Sequence, residues 1–372
     1  MEEAIERLQR NGAQLAVLRS RGVLELHITA PAGPGGDMAD ALERVADVLR
    51  EFRAQLAALT VFCSPDFLPH AKDALGAAFG EPAWPATVVA SEHAAAQPLP
   101  GAQAIALAGA SIVPLRLNGR VVGVAYETAH ARWALLGGVL PHDPHAPAAQ
   151  QAQEVFSALQ AALALADMGP RDILRTWFFL GDILSWYETF NRERSEFFAQ
   201  AGVLRHFLPA STGIGARNPS RAAIQAAAVG LRPHNGAARV FPVPSPLQGP
   251  PLKYGSAFSR AVEVALPGCR RLYVSGTASI DRQGASAHLG DAAGQIQHTM
   301  NVVEAILHAR GMTWADVTRA VAYVKRGADV KAFFDLFSAE PAARLPVLVA
   351  QSDICRDELL FELEVDAMCA GP

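Results

Sequence analysis

The C-terminal stretch LFELEVDAM sets Glu362, Glu364 and Asp366 at every second position. Side chains alternate along a strand, so the three carboxylates share one face at spacings of about 7 Å. Two readings fit. A solvated strand face tolerates such a row; alternatively one carboxyl is partly buried, its pKa rises, and it serves as a proton donor. Arg344 stands just before the apolar run PVLVA, where a guanidinium could hold a substrate carboxylate through paired hydrogen bonds, although a surface arginine reads the same way. Cys355 lies in SDICRDELL, between two expected strands. A lone cysteine is a small hydrophobe unless a base stands beside it, and the sequence names none.

Two further segments carry candidate ligands. PASTGIGAR brings Thr212, Gly213, Gly215 and Arg217 into one loop, and its glycines would let backbone N–H groups approach an anion. A plain turn is the competing reading. The segment is neither a GxGxxG fingerprint nor a phosphate-binding loop, which argues against a nucleotide. KYGSAFSRA adds Tyr254, Ser259 and Arg260. Together Arg217, Arg260 and Arg344 suit a dianionic small molecule, with a glutamate supplying acid. The 11 histidines show no HExxH or paired spacing, so neither a metal nor another cofactor is implied.

The elements that must position these groups recur along the chain. Alternation and helical spacing predict a strand over 271–275, a helix through Ile296, Met300, Val303, Ile306 and Leu307, and a strand over 320–324. A helix over 329–338 and strands over 347–350 and 360–367 follow. The same order is expected from a helix over 149–168, a strand over 175–180 and a helix over 183–200. It is expected again from elements over 23–28, 37–52, 57–62 and 69–79. LTVFCSPDF, TWFFLGDIL and VAYVKRGAD are matching stretches, each a β-rich run stopping at an acidic turn before a helix. Three such echoes in order point to divergence from one unit, with units over 1–110, 111–240 and 241–372. PVPSPLQGPPLKYGS, dense in proline and glycine, reads as a surface linker ahead of the last unit.

Composition narrows the setting. Of 372 residues, 51% are hydrophobic and 18% charged, enough for a buried core and unlike a disordered chain. A net charge of −4 and a pI near 6.3 give no footprint for nucleic acid. No apolar run is long enough for a membrane helix, and the first residues carry no apolar signal core. Cys63, Cys269, Cys355 and Cys369 form no CxxC, so neither a disulfide framework nor a zinc site is suggested, and a reducing cytoplasm is the expected home.

SGTASI, GDAAGQIQHTMNVVEAILHARGMTWADV and AVAYVKRGADVKAFFDLF resemble the Rid, or YjgF-like, family over roughly 271–368. That resemblance implies a chorismate-mutase-like α+β fold, in which a β-barrel lies inside, helices lie outside, and clefts between neighbouring units hold ligands. Arg344 and Glu362 match that family's arginine and glutamate. GDI with an aromatic, FNRER, PASTGIGAR, YGSAFSRA and SGTASI are similar to the chorismatases, single-chain relatives whose fused units imitate the trimer; the N-terminal unit is matched weakly. This second resemblance implies a monomer with an internal pseudo-trimer that takes chorismate as its small-molecule substrate. Protonation of the enolpyruvyl methylene by Glu362 would release pyruvate. Glu362 follows Cys355 by seven residues, the family's spacing between acid and product-directing position. Cysteine there accompanies 3-hydroxybenzoate formation, whereas alanine accompanies a dihydrodiol. Ala278 matches a second such position, and the mixed pair points to 3-hydroxybenzoate with some 4-hydroxybenzoate. Cys355 would shape the cavity and the water's position rather than attack. An imine or enamine hydrolase and a non-enzymatic binding protein are the alternatives; the latter would not need Glu362.

Overall fold

The computed structural model describes residues 4–32, 37–91, 101–338 and 345–371. The first sheet is built from β1 (Ala4–Arg10), β2 (Ala13–Ser20), β3 (Val23–Pro31), β4 (Gln55–Cys63), β5 (Ala86–Ala90) and β6 (Gly101–Ala108), with α1 (Met38–Phe52) and α2 (Ala71–Phe79) between strands. The second contains β7 (Ile112–Leu117), β8 (Arg120–Glu127), β9 (Ala131–Val139), β10 (Ile173–Leu180), β11 (Ala210–Gly215) and β12 (Ile224–Pro233), with α3 (Ala148–Ala164) and α4 (Ile183–Gln200). The third contains β13 (Arg239–Val243), β14 (Ala261–Leu266), β15 (Cys269–Ala278), β16 (Val317–Val324), β17 (Val347–Gln351) and β18 (Phe361–Ala370), with α5 (Ala292–His308) and α6 (Val330–Ser338).

All three sheets share one strand order, β1-β2-β3-β6-β4-β5 in the first and its counterparts in the others. The pairs β4–β5, β10–β11 and β16–β17 are parallel, which obliges a crossover, and α2, α4 and α6 supply it. α1 shows how such helices arise. Met38, Ala41, Leu42, Val45 and Val48 form a buried stripe at helical spacing, and Asp37 caps its start by accepting from the Ala39 N–H at 2.8 Å.

β18 explains the row of acids. Phe361, Leu363, Val365 and Ala367 pack with Ile296, Met300, Val303, Ile306 and Leu307 of α5. The opposite face carries Glu362, Glu364 and Asp366 towards the other two sheets, and all three are buried. The solvated-face reading fails because this sheet is covered on both sides. Near the middle of the molecule one aromatic from each sheet meets the others: the Phe62 ring centroid lies 6.4 Å from that of Phe179 and 6.3 Å from that of Tyr323.

Among the described residues the expected closed barrel is not formed. Three separate sheets face one another, joined by isolated bridges such as Ala90 to Arg217 and Ala210 to Ser259. At the seams side-chain hydroxyls take the place of ladder partners. The Gly276 N–H donates to Thr212 Oγ1 at 3.0 Å, and the Ser211 N–H donates to Ser275 Oγ at 2.8 Å. Gly276 is available because the β15–β18 register breaks between Val274 and Thr277, lifting two residues out of the ladder. The proline-rich segment is not a passive linker either. Gln248 is buried there and donates to the carbonyls of Ala278 and Ile280 at 2.9 and 2.8 Å.

Candidate active site

At the seam between the second and third sheets a cavity collects side chains from six places in the chain. α4 presents Tyr187 and Arg194, two turns apart on one face, while β11 contributes Ser211 and Gly213. The turn at Pro251–Tyr254 and the segment after it bring Tyr254, Ser256, Phe258 and Arg260. β15 ends in Gly276 and Ala278; Cys355 and Arg356 come from the last turn, and Glu362 from β18.

Glu362 has the environment of a neutral acid. Burial, reinforced by the Glu364 anion next along the strand face, pushes its carboxyl up to about 8, against the pull of Arg175 and Arg260. Gly276 makes room for it: a Cβ there would stand 2.0 Å from Glu362 Oε1. Glu364 is a different kind of group. It accepts from Arg319 Nη2 at 2.6 Å, Arg175 Nη2 at 2.8 Å, Trp177 Nε1 at 2.9 Å and Thr212 Oγ1 at 2.5 Å. Burial opposes its charge, yet the two guanidiniums prevail and hold its carboxyl below the ordinary range.

Three guanidiniums converge on the cavity. Arg260 donates through Nε and Nη2 to the Gly249 carbonyl, both at 3.1 Å, and lies 5.7 Å from the Tyr254 ring centroid. Arg194 donates to Asn191 Oδ1 at 2.6 Å and sits over the Phe190 and Phe258 rings. Arg356 donates to the Gly284 carbonyl at 2.9 Å and lies 5.5 Å from the Tyr254 ring. None of the three has a carboxylate among its ion pairs in the described residues. Burial lowers the pKa of Arg194 and of Arg260, but a guanidinium remains charged at neutral pH. Burial also pushes the Cys355 thiol up to about 12, so it is no thiolate at neutral pH.

Glu362, Cys355, Tyr254, Arg260, Gly213 and Ala278, all singled out from the sequence, therefore meet in one place. Others do not. Thr212 turns its hydroxyl to Glu364, because β11 alternates and only Ser211 and Gly213 face the cavity. Gly215 packs against the Asp353 backbone, and its N–H donates to that carbonyl at 2.8 Å. Arg217 is exposed and lines a separate groove, with its backbone bridged to Ala90. Ser259 lends its carbonyl to Ser275 Oγ–H and its N–H to the Pro209 carbonyl. Arg344 lies outside the described residues. Arg194, Arg356, Tyr187 and Ser211 were not assigned roles from sequence. Arg194 had a signal: an arginine at helical spacing from the aromatic residues Tyr187 and Phe190.

Residues 253–369 match the family described as Endoribonuclease L-PSP. A solved structure described as a chorismatase superposes with a TM-score of 0.66 at 17% identity, covering 92% of this chain and 98% of that one. The chain has the chorismatase fold. It is also homologous to proteins of that name. One, from Streptomyces rapamycinicus, is 27% identical over 221 residues, 54% of this chain and 65% of the relative. A 3-hydroxybenzoate synthase from Streptomyces hygroscopicus is 29% identical over 228 residues, 54% of this chain and 64% of the relative. The matched region thus spans less than two thirds of these relatives' length.

Proposed function

We propose that the chain cleaves the enolpyruvyl ether of chorismate, with Glu362 as the proton donor. The observation that carries this reading is a buried carboxyl, protonated near neutrality, in the same cavity as Arg194, Arg260 and Arg356. Chorismate is a dicarboxylate, and guanidiniums are the side chains that hold carboxylates in fixed orientation. The chemistry then needs an acid able to protonate carbon. The Glu362 O–H proton passes to the enolpyruvyl methylene, whose π electrons form the new C–H bond and leave an oxocarbenium ion at the ether carbon. The resulting Glu362 carboxylate is stabilised by the positive charge of Arg260 and Arg175.

The cation has two fates. Water can add, and collapse of the hemiketal gives pyruvate and a dihydrodiol. Alternatively the neighbouring ring hydroxyl attacks the ring carbon that bears the ether. The bond from that carbon to the ether oxygen breaks, its electron pair leaves with pyruvate, and the hydroxyl proton returns to the Glu362 carboxylate. The ring epoxide so formed opens and shifts a ring hydrogen to aromatise. No water enters or leaves, so that 3-hydroxybenzoate and pyruvate together carry every atom of chorismate. We assign the second course, with some 4-hydroxybenzoate. Its support is Cys355 and Ala278 in the cavity wall and the relative named 3-hydroxybenzoate synthase. With its proton retained, Cys355 shapes the space rather than attacks. RNA cleavage, which the matching family's description names, would call for an exposed basic track, whereas Arg194 and Arg260 are buried.

We also read the chain as three units, 1–110, 111–240 and 241–372, forming a pseudo-trimer in a monomer; the thrice-repeated strand order supports this. Incubation of the purified protein with chorismate, with pyruvate followed and aromatic products resolved by chromatography, tests the reading. Pyruvate with 3-hydroxybenzoate is expected. A dihydrodiol alone would remove the product assignment, and absence of pyruvate would remove the reaction.

A further inference from the structure

Behind the candidate active site, the inner faces of all three sheets enclose a second cavity of about 70 Å³. Its charged walls are already paired. Arg271 donates to both Glu25 oxygens at 2.6 and 2.8 Å, and His27 lies 2.8 Å from the same carboxylate. On the opposite wall Arg319 is 2.6 Å from Glu364 and 3.5 Å from Asp366. A charged ligand would find no uncommitted counter-charge among these groups. What the chamber offers is unfilled hydrogen-bonding capacity. Among the described residues, Trp133 Nε1 and Arg271 Nε are donors without a protein partner, and Gln103 Oε1 and Asp366 Oδ1 are acceptors in the same position. All four residues are more than nine-tenths buried and line the chamber.

We propose that this chamber is a binding site for a cluster of ordered water molecules, which joins the donors on β9 and β15 to the acceptors on β6 and β18. Cavities that stay dry are apolar, whereas a polar void is hydrated when each water finds two to four partners. A volume of about 70 Å³ holds about two to five waters. Both a donor and an acceptor are needed from the occupant, and water supplies both. The cluster completes the hydrogen bonding of an interior whose ion pairs span three sheets, and it touches Trp177 and Arg319, two of the groups that hold Glu364.

The test is a high-resolution crystal structure of the full chain, with a second data set from the same crystals under xenon pressure. Ordered peaks are expected within hydrogen-bond distance of Trp133 Nε1 and Asp366 Oδ1, with no xenon in the chamber. Xenon entering the chamber, density for an organic molecule, or a chamber without peaks would each overturn the proposal. In solution, water-oxygen-17 relaxation of the wild type should report long-lived internal waters, and Trp133→Phe should reduce that signal. A Trp133→Phe protein that folds and retains the full signal would count against the cluster. If that variant fails to fold, the wild-type crystals decide alone.

Discussion

Glu362 is held protonated near neutrality by its surroundings, at a cost in stability. An acid whose folded pKa is about 8, against an ordinary 4.5, keeps its proton while the unfolded chain has already lost its own. The folded state therefore loses stability as pH climbs from about 4.5 and through 8. Glu362→Gln is expected to abolish pyruvate release and yet raise the melting temperature at pH 8, by an amount corresponding to a few kcal/mol. Calorimetry at pH 5 and pH 8 checks this, since the gain should shrink at the lower pH. With the wild type, kcat should fall as pH rises through about 8, where the donor loses its proton. Gly276→Ala tests the geometry alone. A methyl 2.0 Å from Glu362 Oε1 must displace the carboxyl, and a misplacement of that order costs about 10²-fold in kcat. Cys355→Ala enlarges the wall without touching the acid. Water then gains access to the cation, and the dihydrodiol fraction should rise on a chromatogram at little change in total pyruvate.

At the level of strands and helices, β18 couples Glu362, the proposed donor, to the ion-paired Glu364 two residues on. Glu364→Gln would leave Arg175 and Arg319 without their shared anion, a loss on the order of 3–5 kcal/mol for a broken buried pair. Glu362 would at the same time lose a like charge and feel bare guanidiniums, so the alkaline limb of its pH–rate profile should move to lower pH. The alternation of FELEVDAM made the shared face of these acids legible from the sequence. Its burial was not, because nothing in one strand says what covers it. Legibility failed elsewhere for related reasons. β6 and β12, with runs such as GAQAIALA and IQAAAVG, are rich in alanine and glycine, which carry little strand preference. Their strand character comes from neighbours distant in sequence. Arg217 and Arg194 show the same limit for the site, since the first sits in a conspicuous loop and the second within a helix, and only tertiary packing separates them.

Across the whole molecule, equal registers place three different residues at one position. Tyr323 pairs with Glu362, Phe179 with Gln225 and Phe62 with Gly101. One sheet in three thus has an acid at that place. The seams differ in the same way. Thr87 receives the Gly138 N–H at 2.9 Å as Thr212 receives that of Gly276. Their counterpart, Leu348, instead projects over Gly101, where a Cβ would lie 2.6 Å from it. Calorimetric titration with an unreactive chorismate analogue should saturate at one ligand per chain, and Arg194→Ala should weaken that binding without removing the fold. A stoichiometry of three would show that the other seams open as well.

Leu348 over Gly101 also says something about ancestry. In an assembly of identical copies every substitution appears at every cleft, so a plug that closes one closes all. A single chain that writes the same sheet three times is free of that rule. One seam can be sealed as ballast, another left as a neutral echo with glutamine, and the third committed to chemistry. Specialisation of this kind is open to a molecule whose symmetry is only in its backbone.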